Sequence, residues 1–533
     1  MAIDMQTIFP EAKDIPDAFR CSEIAPEPVY LIDGQLKVNW DKVRAVQSPI
    51  LIRNGDKLTS PHLGECPHLT GEESMAALQA AIKVFDSGMG SWPMMKNGER
   101  LDHMRTFLQH MRGKEKTFAL LEMWETGKKY QDCLNEFQRT LTYIEDTMKA
   151  FTELEKDTSI FTRVGPTLAL IRRQPLGVVL CLGPFNYPLN ETFALVIPAL
   201  LMGNSVVFKQ PDQGALCTLP LLEDMAASFP PGVINVINGN GAETIGPIME
   251  SGSISILGFI GSSRVANLLI HQHPRNNRLR TILGLEAKNA AYILPDANLD
   301  LAIRECIAGA LEFNGQRCTA IKQIWVHKKL LEPFLSGMDD YLQQLGYGMP
   351  WQDEVMLTPL AEPNKVAFLN ELVNDAQARG AQVVNSNGGM SYGTFFFPAV
   401  VYPVEPSMRI YQEEQFGPVI PVGSFSRLDD LFTYFRNSDY GQQASIFTRS
   451  PAQAGPLIDI LVNQVSRVNL NTRCQRSPDE LPFTGRKGSA EGTLSVKDAL
   501  RAFSIRSLAV ANEQGRELFF SLLAGKNSEF LRL

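Results

Sequence analysis

At 533 residues, with 44% apolar and 20% charged side chains, the chain is too long for one hydrophobic core and too ordinary in composition for a disordered, fibrous or small disulfide-bound protein. Its formal charge of −8 excludes a nucleic-acid binder that relies on a general basic field. Eight cysteines with no C-x-x-C pair and no Cys/His cluster at zinc spacing predict a reducing compartment and no bound metal.

In chain order, Met1-Ala2-Ile3-Asp4-Met5 lacks the basic and apolar stretches of a signal peptide. The longest apolar run, Phe193 to Met202, is half a membrane span and contains Pro198, so the expectation is a cytoplasmic protein without a membrane partner. Residues 1 to about 70 are rich in proline and read as an irregular extension laid over a core, with short extended runs such as Val29 to Gly34. From Thr70 to about Leu154 the pattern is helical and amphipathic, opened by Thr70-Gly71-Glu72-Glu73. After Thr162, short apolar runs alternate with helical segments. Runs at Leu168–Ile171, Gly177–Leu182, Ser205–Phe208, Val233–Ile237 and Ser255–Phe259 predict a buried parallel sheet covered on both faces. A second series at Ala290–Leu294, Ile324–His327, Ala381–Val384, Val419–Val422 and Ser466–Leu470 predicts a second α/β lobe, with a cleft between the two. His271 and His273 lie in a polar stretch and read as solvated side chains rather than metal ligands. The tail from Gln514 is amphipathic but carries no basic face, which favours packing on a neighbour over membrane binding.

Several segments carry candidate chemistry. Asn238 to Gly246 follows a strand and opens a helix, as a dinucleotide-phosphate turn or a plain strand-to-helix turn would. Gly261, Ser262 and Ser263 sit where a helix begins, and free N–H groups there suit a pyrophosphate, though an N-cap uses the same residues. Lys209 ends a strand three residues before Asp212, a pair able to hold the hydroxyls of an adenine ribose while the carboxylate repels a 2′-phosphate. Asn186, in the Pro-bracketed Gly183-Pro184-Phe185-Asn186-Tyr187-Pro188, is either an oxyanion donor or a turn former. Cys318, between polar residues in Phe313 to Thr319, has better claim to be a nucleophile than the other seven cysteines.

Taken in this order, these segments resemble the aldehyde dehydrogenase superfamily from about residue 70 to 510, together with Glu414-Gln415-Phe416-Gly417-Pro418 and Pro482 to Lys487. Phe185-Asn186-Tyr187-Pro188, Gly315 to Lys322 and Gln475-Arg476 are most similar to its non-phosphorylating glyceraldehyde-3-phosphate dehydrogenase branch. The resemblance implies an α/β fold with a Rossmann-like cofactor domain, an α/β catalytic domain and a small β-arm that joins subunits into a homodimer or homotetramer. It implies boundaries of 1–70 for the extension, 71–283 for the cofactor domain with 167–181 in the arm, 284–495 for the catalytic domain, 496–513 for the oligomerisation strand and 514–533 for the tail. It further implies NAD- or NADP-dependent oxidation of a small aldehyde. Cys318 would attack the aldehyde, and Asn186 with the Cys318 N–H would hold the oxyanion. Lys209, Asp212, Gly241, Gly261, Ser262, Glu414 and Phe416 would line the cofactor. Asp212 leans toward NAD, whereas NADP use is common in the resembled branch.

One departure stands out. The superfamily's general base lies in a Glu-Leu-Gly-Gly-Lys segment, which aligns with Gly284-Leu285-Glu286-Ala287-Lys288, so Gly284 occupies the glutamate position. Glu286 becomes the candidate base, displaced by about 7 Å at roughly 3.3 Å per residue. Two other readings follow: an acylating enzyme that passes the thioester to coenzyme A or phosphate, and a hydrolysis-impaired or inactive nucleotide-binding homologue. Arg317 and Arg476 are candidates for binding an anionic group on the substrate, or alternatively for holding the catalytic loop.

Overall fold

The computed structural model describes residues 7–20, 26–158, 160–525 and 528–531. The readings that fall on the first six residues and on Cys21 lie outside them.

Five parallel strands form the centre of the first sheet, in the spatial order Ile234–Ile237, Ser205–Lys209, Val178–Leu182, Ile254–Ile260, Arg280–Gly284. Alternate residues of one strand reach opposite faces and both faces are apolar. Val179 and Cys181 pack into the core that holds Phe193 and Leu195, whereas Val178, Leu180 and Leu182 pack with Ala77, Ile245 and Leu269 from the helices opposite. Chain order reverses between Val178–Leu182 and Ile254–Ile260, which makes the carboxyl ends of these two strands the switch point of a doubly wound sheet. The two segments that follow them are those singled out above, Gly183 to Pro188 and Gly261 to Ser263.

The second sheet has six parallel strands with an antiparallel edge: Gln382–Val383, Ala399–Tyr402, Val419–Phe425, Gln323–His327, Ala290–Ile293, Gln443–Phe447 and Arg467–Leu470. The apolar runs marked most of these strands, but Arg280–Gly284 and Gln443–Phe447 carry no such mark. Gln443 and Ser445 are buried because the segment after the strand Arg467–Leu470 supplies partners: Gln443 donates to the Gln475 carbonyl at 3.0 Å and Ser445 lies 3.3 Å from the Cys474 sulfur.

Three expectations are corrected. The extension is not irregular: its run at Val29–Gly34 does contain a strand, Val29–Ile32, but this strand pairs antiparallel with Ile234–Ile237 and with Gln35–Val38, lengthening the first sheet, and Val43–Gln47 pairs with His62–Pro67. The helical region is not uniformly amphipathic. Thr70 and Glu73 do form a reciprocal capping box at Gly71–Phe85, but Glu115–Thr126 is buried from Phe118 onward. His273 is buried rather than solvated, with Nε2 3.1 Å from the Ile254 carbonyl and Nδ1 accepting from the Arg275 N–H, whereas His271 is exposed.

A three-stranded antiparallel arm joins Ile505–Ala511 to Thr167–Gln174 and that strand to Phe161–Val164. Residues 496–502 form a helix before it. In the tail helix Arg516–Gly525, Phe519 packs on Leu170 while Leu518 and Phe520 face outward.

Candidate active site

The loop that bears Cys318 is shaped by three consecutive residues in the left-handed region: Phe313, Asn314 and Gly315, with φ of 49°, 53° and 73°. Side-chain hydrogen bonds hold Asn314 there, Nδ2 to Thr358 Oγ1 at 3.1 Å and Oδ1 from the Thr358 N–H at 3.0 Å. At Gly315 a Cβ would meet the Ala310 carbonyl at 2.5 Å, so glycine satisfies both the dihedral and the close approach. This turn brings Cys318 to the wall of a cavity of about 890 Å³ at the switch point, lined also by Asn186, Glu286, Ser262 and Phe416. Cys318 is partly buried, and the six other described cysteines are buried.

Around the sulfur, the Asn186 amide donates one hydrogen bond to the Gln316 carbonyl at 2.9 Å, which fixes the amide plane and leaves its second N–H. The Cys318 carbonyl accepts from Lys322 Nζ at 2.7 Å and from Asn289 at 2.8 Å. Lys322 also pairs with Glu414 at 2.9 Å, and Glu414 accepts from the Ala287 N–H, so the Cys318 loop and the Glu414–Phe416 turn are held together. Burial, and secondarily the Glu191 carboxylate, push the Cys318 thiol above its ordinary range, while Lys322 opposes them. The Cys318 N–H makes no hydrogen bond among the described residues and is free to serve an oxyanion.

Beneath the Asn186 loop lies a buried charge cluster that no sequence motif marked. Lys128 Nζ donates to Glu122 at 2.8 Å, to Glu136 and to the Asn186 carbonyl at 3.0 Å, and lies 3.8 Å from the centre of the Tyr187 ring. The other oxygen of Glu136 accepts from the Leu189 and Asn190 N–H groups, both at 3.0 Å. Burial opposes the Lys128 charge, but the two carboxylates outweigh it and keep the amine protonated. Burial and then Glu136 push Glu122 upward. Lys128→Met leaves these carboxylates without their cation and is expected to cost about 3–5 kcal/mol of stability. Denaturant unfolding checks this, and a loss below about 1 kcal/mol would refute it.

The predicted site residues do not all meet. Asp212, Gly261, Ser262, Glu414, Phe416, Arg317 and Arg476 line the cavity with Cys318, Asn186 and Glu286, whereas Lys209 and Gly241 are outside its lining. Lys209 pairs with Asp212 at 3.2 Å, and the Asp212 carbonyl accepts from Arg44. Asn240 caps the helix that begins at Gly241. Ser262 caps Ser263–Gln272, and Glu286 accepts from the Ser263 N–H at 2.9 and 3.0 Å and from its hydroxyl. That helix start therefore suits an anion, and here it holds the chain's own carboxylate. Arg317 is tied to Glu312 at 3.0 Å and to the Gly309 carbonyl at 3.1 Å, and Arg476 is paired with Glu191. Glu191 was missed although it carried a signal, the lone charged residue of the fully buried helix Asn190–Leu201.

Comparison with known proteins places the chain in a family. Residues 47–507 match the family model described as "Aldehyde dehydrogenase family". The chain is 33% identical over 479 residues to an NADP-dependent glyceraldehyde-3-phosphate dehydrogenase of Streptococcus equinus, covering 89% of this chain and 96% of that protein. It is 31% identical to the protein of the same description from Pisum sativum, covering 91% and 95%. The crystal structure of the Bacillus halodurans C-125 NADP-dependent glyceraldehyde-3-phosphate dehydrogenase complexed with NADP superposes with a TM-score of 0.83 at 29% identity, covering 91% and 99% of the two chains. With its switch-point cavity, its Cys318 and Asn186, and a match over most of its length, this chain belongs to the aldehyde dehydrogenase family.

Proposed function

We propose that the protein oxidises an aldehyde to a carboxylic acid with NAD or NADP, through a covalent intermediate on Cys318. The observation that carries this is the convergence of Cys318, Asn186 and Glu286 on one cavity that also reaches the helix start at Ser262. The Cys318 thiolate adds to the aldehyde carbon, and the Asn186 N–H and Cys318 N–H hold the resulting oxyanion. A bound NAD or NADP would supply the hydride acceptor, and loss of the hydride from this carbon leaves a thioester on Cys318. A water deprotonated by a carboxylate then attacks the thioester, releasing the acid and restoring the thiolate; Glu286 is our assignment for that carboxylate. Gly261, Ser262 and the Ser263 N–H suit a pyrophosphate, which would compete with Glu286 for the Ser263 N–H and so free its carboxylate for the water. The NADP dependence named for the relatives supports NADP as a cofactor, and the Lys209–Asp212 pair supports NAD.

Aldehyde and NADP mixed with the protein should give a burst of NADPH stoichiometric with Cys318, followed by slower turnover. Glu286→Gln should keep the burst, lower steady-state turnover about 100-fold and tighten cofactor binding. Unchanged turnover would remove Glu286 from the mechanism. Gly284 at the usual base position favours a second reading, transfer of the acyl group to coenzyme A or phosphate. That reading requires turnover to depend on the added acceptor, and turnover in water alone excludes it.

The outward-facing Val164, Leu508 and Val510 of the arm support a homodimer or homotetramer. The seven described cysteines are all unpaired, and no described helix is long and apolar enough to cross a membrane. The free thiols support a reducing, cytoplasmic location.

A further inference from the structure

The substrate side of the cavity is rich in arginine, yet its guanidinium groups are already paired with carboxylates. Arg476 bonds Glu191 through Nη1, its Nε lies 3.3 Å from Asp479, and its guanidinium stacks over Phe483 at 4.7 Å. Asp479 is in turn held by both ends of the Arg139 fork, at 2.8 and 2.6 Å. Arg317 and Arg473 share Glu312, at 3.0 and 2.7 Å. A second cavity of about 710 Å³ shares Arg139, Tyr187 and Glu312 with the first, and its wall adds Asp132, Asp353 and Glu354. With Glu136 and Glu312 these carboxylates outnumber the two cations of that wall, Lys129 and Arg139, so a charged tail approaching from that side meets excess negative charge.

We propose that Glu191 is a specificity-determining residue that occupies Arg476 and excludes aldehydes bearing a phosphate or sulfonate, so that the site takes neutral hydroxyaldehydes. A dianion that binds Arg476 must either displace the buried Glu191 carboxylate and leave it unpaired, or sit directly beside it and Asp479, and in both cases like-charge repulsion and desolvation work against binding. The Arg317 guanidinium offers no substitute, since Nε, Nη1 and Nη2 are each bonded to Glu312 or to Gly309. A neutral hydroxyl group can instead hydrogen-bond to the paired oxygens and nitrogens without breaking any pair. The inference deepens the reading of Cys318 as an aldehyde nucleophile and rests on it.

The test compares glyceraldehyde with glyceraldehyde 3-phosphate, which differ only in the phosphate, by the rate of the NADPH burst, which reports acylation and not deacylation. The intact protein should react at least about tenfold faster with glyceraldehyde at equal concentration of free aldehyde. Glu191→Gln should move the ratio of the two rates at least about tenfold toward the phosphate ester, whereas Glu191→Asp, which keeps the charge, should not. Glu191→Gln should also shift the pH profile of the burst to lower pH, because a negative charge near the sulfur is gone. Faster reaction of the intact protein with the phosphate ester would overturn the proposal, and so would an unchanged ratio in Glu191→Gln. Glu191→Leu supplies the neutral side chain if the amide variant does not fold. The absence of a burst with either aldehyde would instead overturn the oxidation reading beneath it.

Discussion

Replacing Cys318 by serine is expected to abolish the burst of reduced cofactor and to cut turnover on the order of 10,000-fold or more. A thiol becomes a nucleophile by its own ionisation, which Lys322 favours here, whereas a serine hydroxyl needs an adjacent base. No histidine is among the residues that line the cavity, and the carboxylate nearest in electrostatic effect, Glu191, is engaged by Arg476. The change removes little volume, so the thermal midpoint should stay within a few degrees while stopped-flow absorbance shows no burst. In the intact protein the thiol sits above its ordinary range, because burial and Glu191 disfavour the thiolate. The reactive form is the deprotonated one, so the burst rate should rise with pH through neutrality. A burst that survives in Cys318→Ser would end the covalent mechanism.

Asn186→Ala should slow acylation by about 100- to 1000-fold, the usual worth of one oxyanion-hole donor. Its amide is held by the Gln316 carbonyl on one side, and the loop that bears it is held by Lys128 below, so the donor is fixed before the substrate arrives. Asn186→Asp tests the electrostatics separately. The shape is retained, but an acceptor replaces the donor beside a developing negative charge, and the loss should be at least as large as with alanine. Cofactor affinity, measured by fluorescence titration, should hardly change in either variant, which distinguishes a lost oxyanion donor from a collapsed site. Burst rates within about threefold of the intact protein would show that Asn186 is a turn residue only.

How the structure realises the sequence differs from region to region. The parallel strands were legible because strands buried on both faces read as unbroken apolar runs, as in Val178–Leu182 and Ser205–Lys209. Gln443–Phe447 was not legible, because its buried polar side chains are satisfied by Gln475 and Cys474, residues about thirty positions away. The capping box at Thr70 could be read since both partners lie within one turn. In the extension, Val29–Gly34 could be read as an extended run, but its pairing could not, because that is set by the edge of the sheet it lengthens.

By itself the sequence singled out the candidates for the chemistry: a cysteine in a polar turn, an amide in a rigid loop after a buried strand, and a glycine-serine step at a helix start. These are local signals, because each depends on neighbours a few residues away. Only the tertiary structure decided how charge is distributed around them. It put Glu286 on the Ser263 N–H, Glu191 on Arg476, and Lys128 under Asn186. Pairings between segments separated by 23 to 285 residues have no local signature, and it is the cost of burying an unpaired charge that fixes which groups meet.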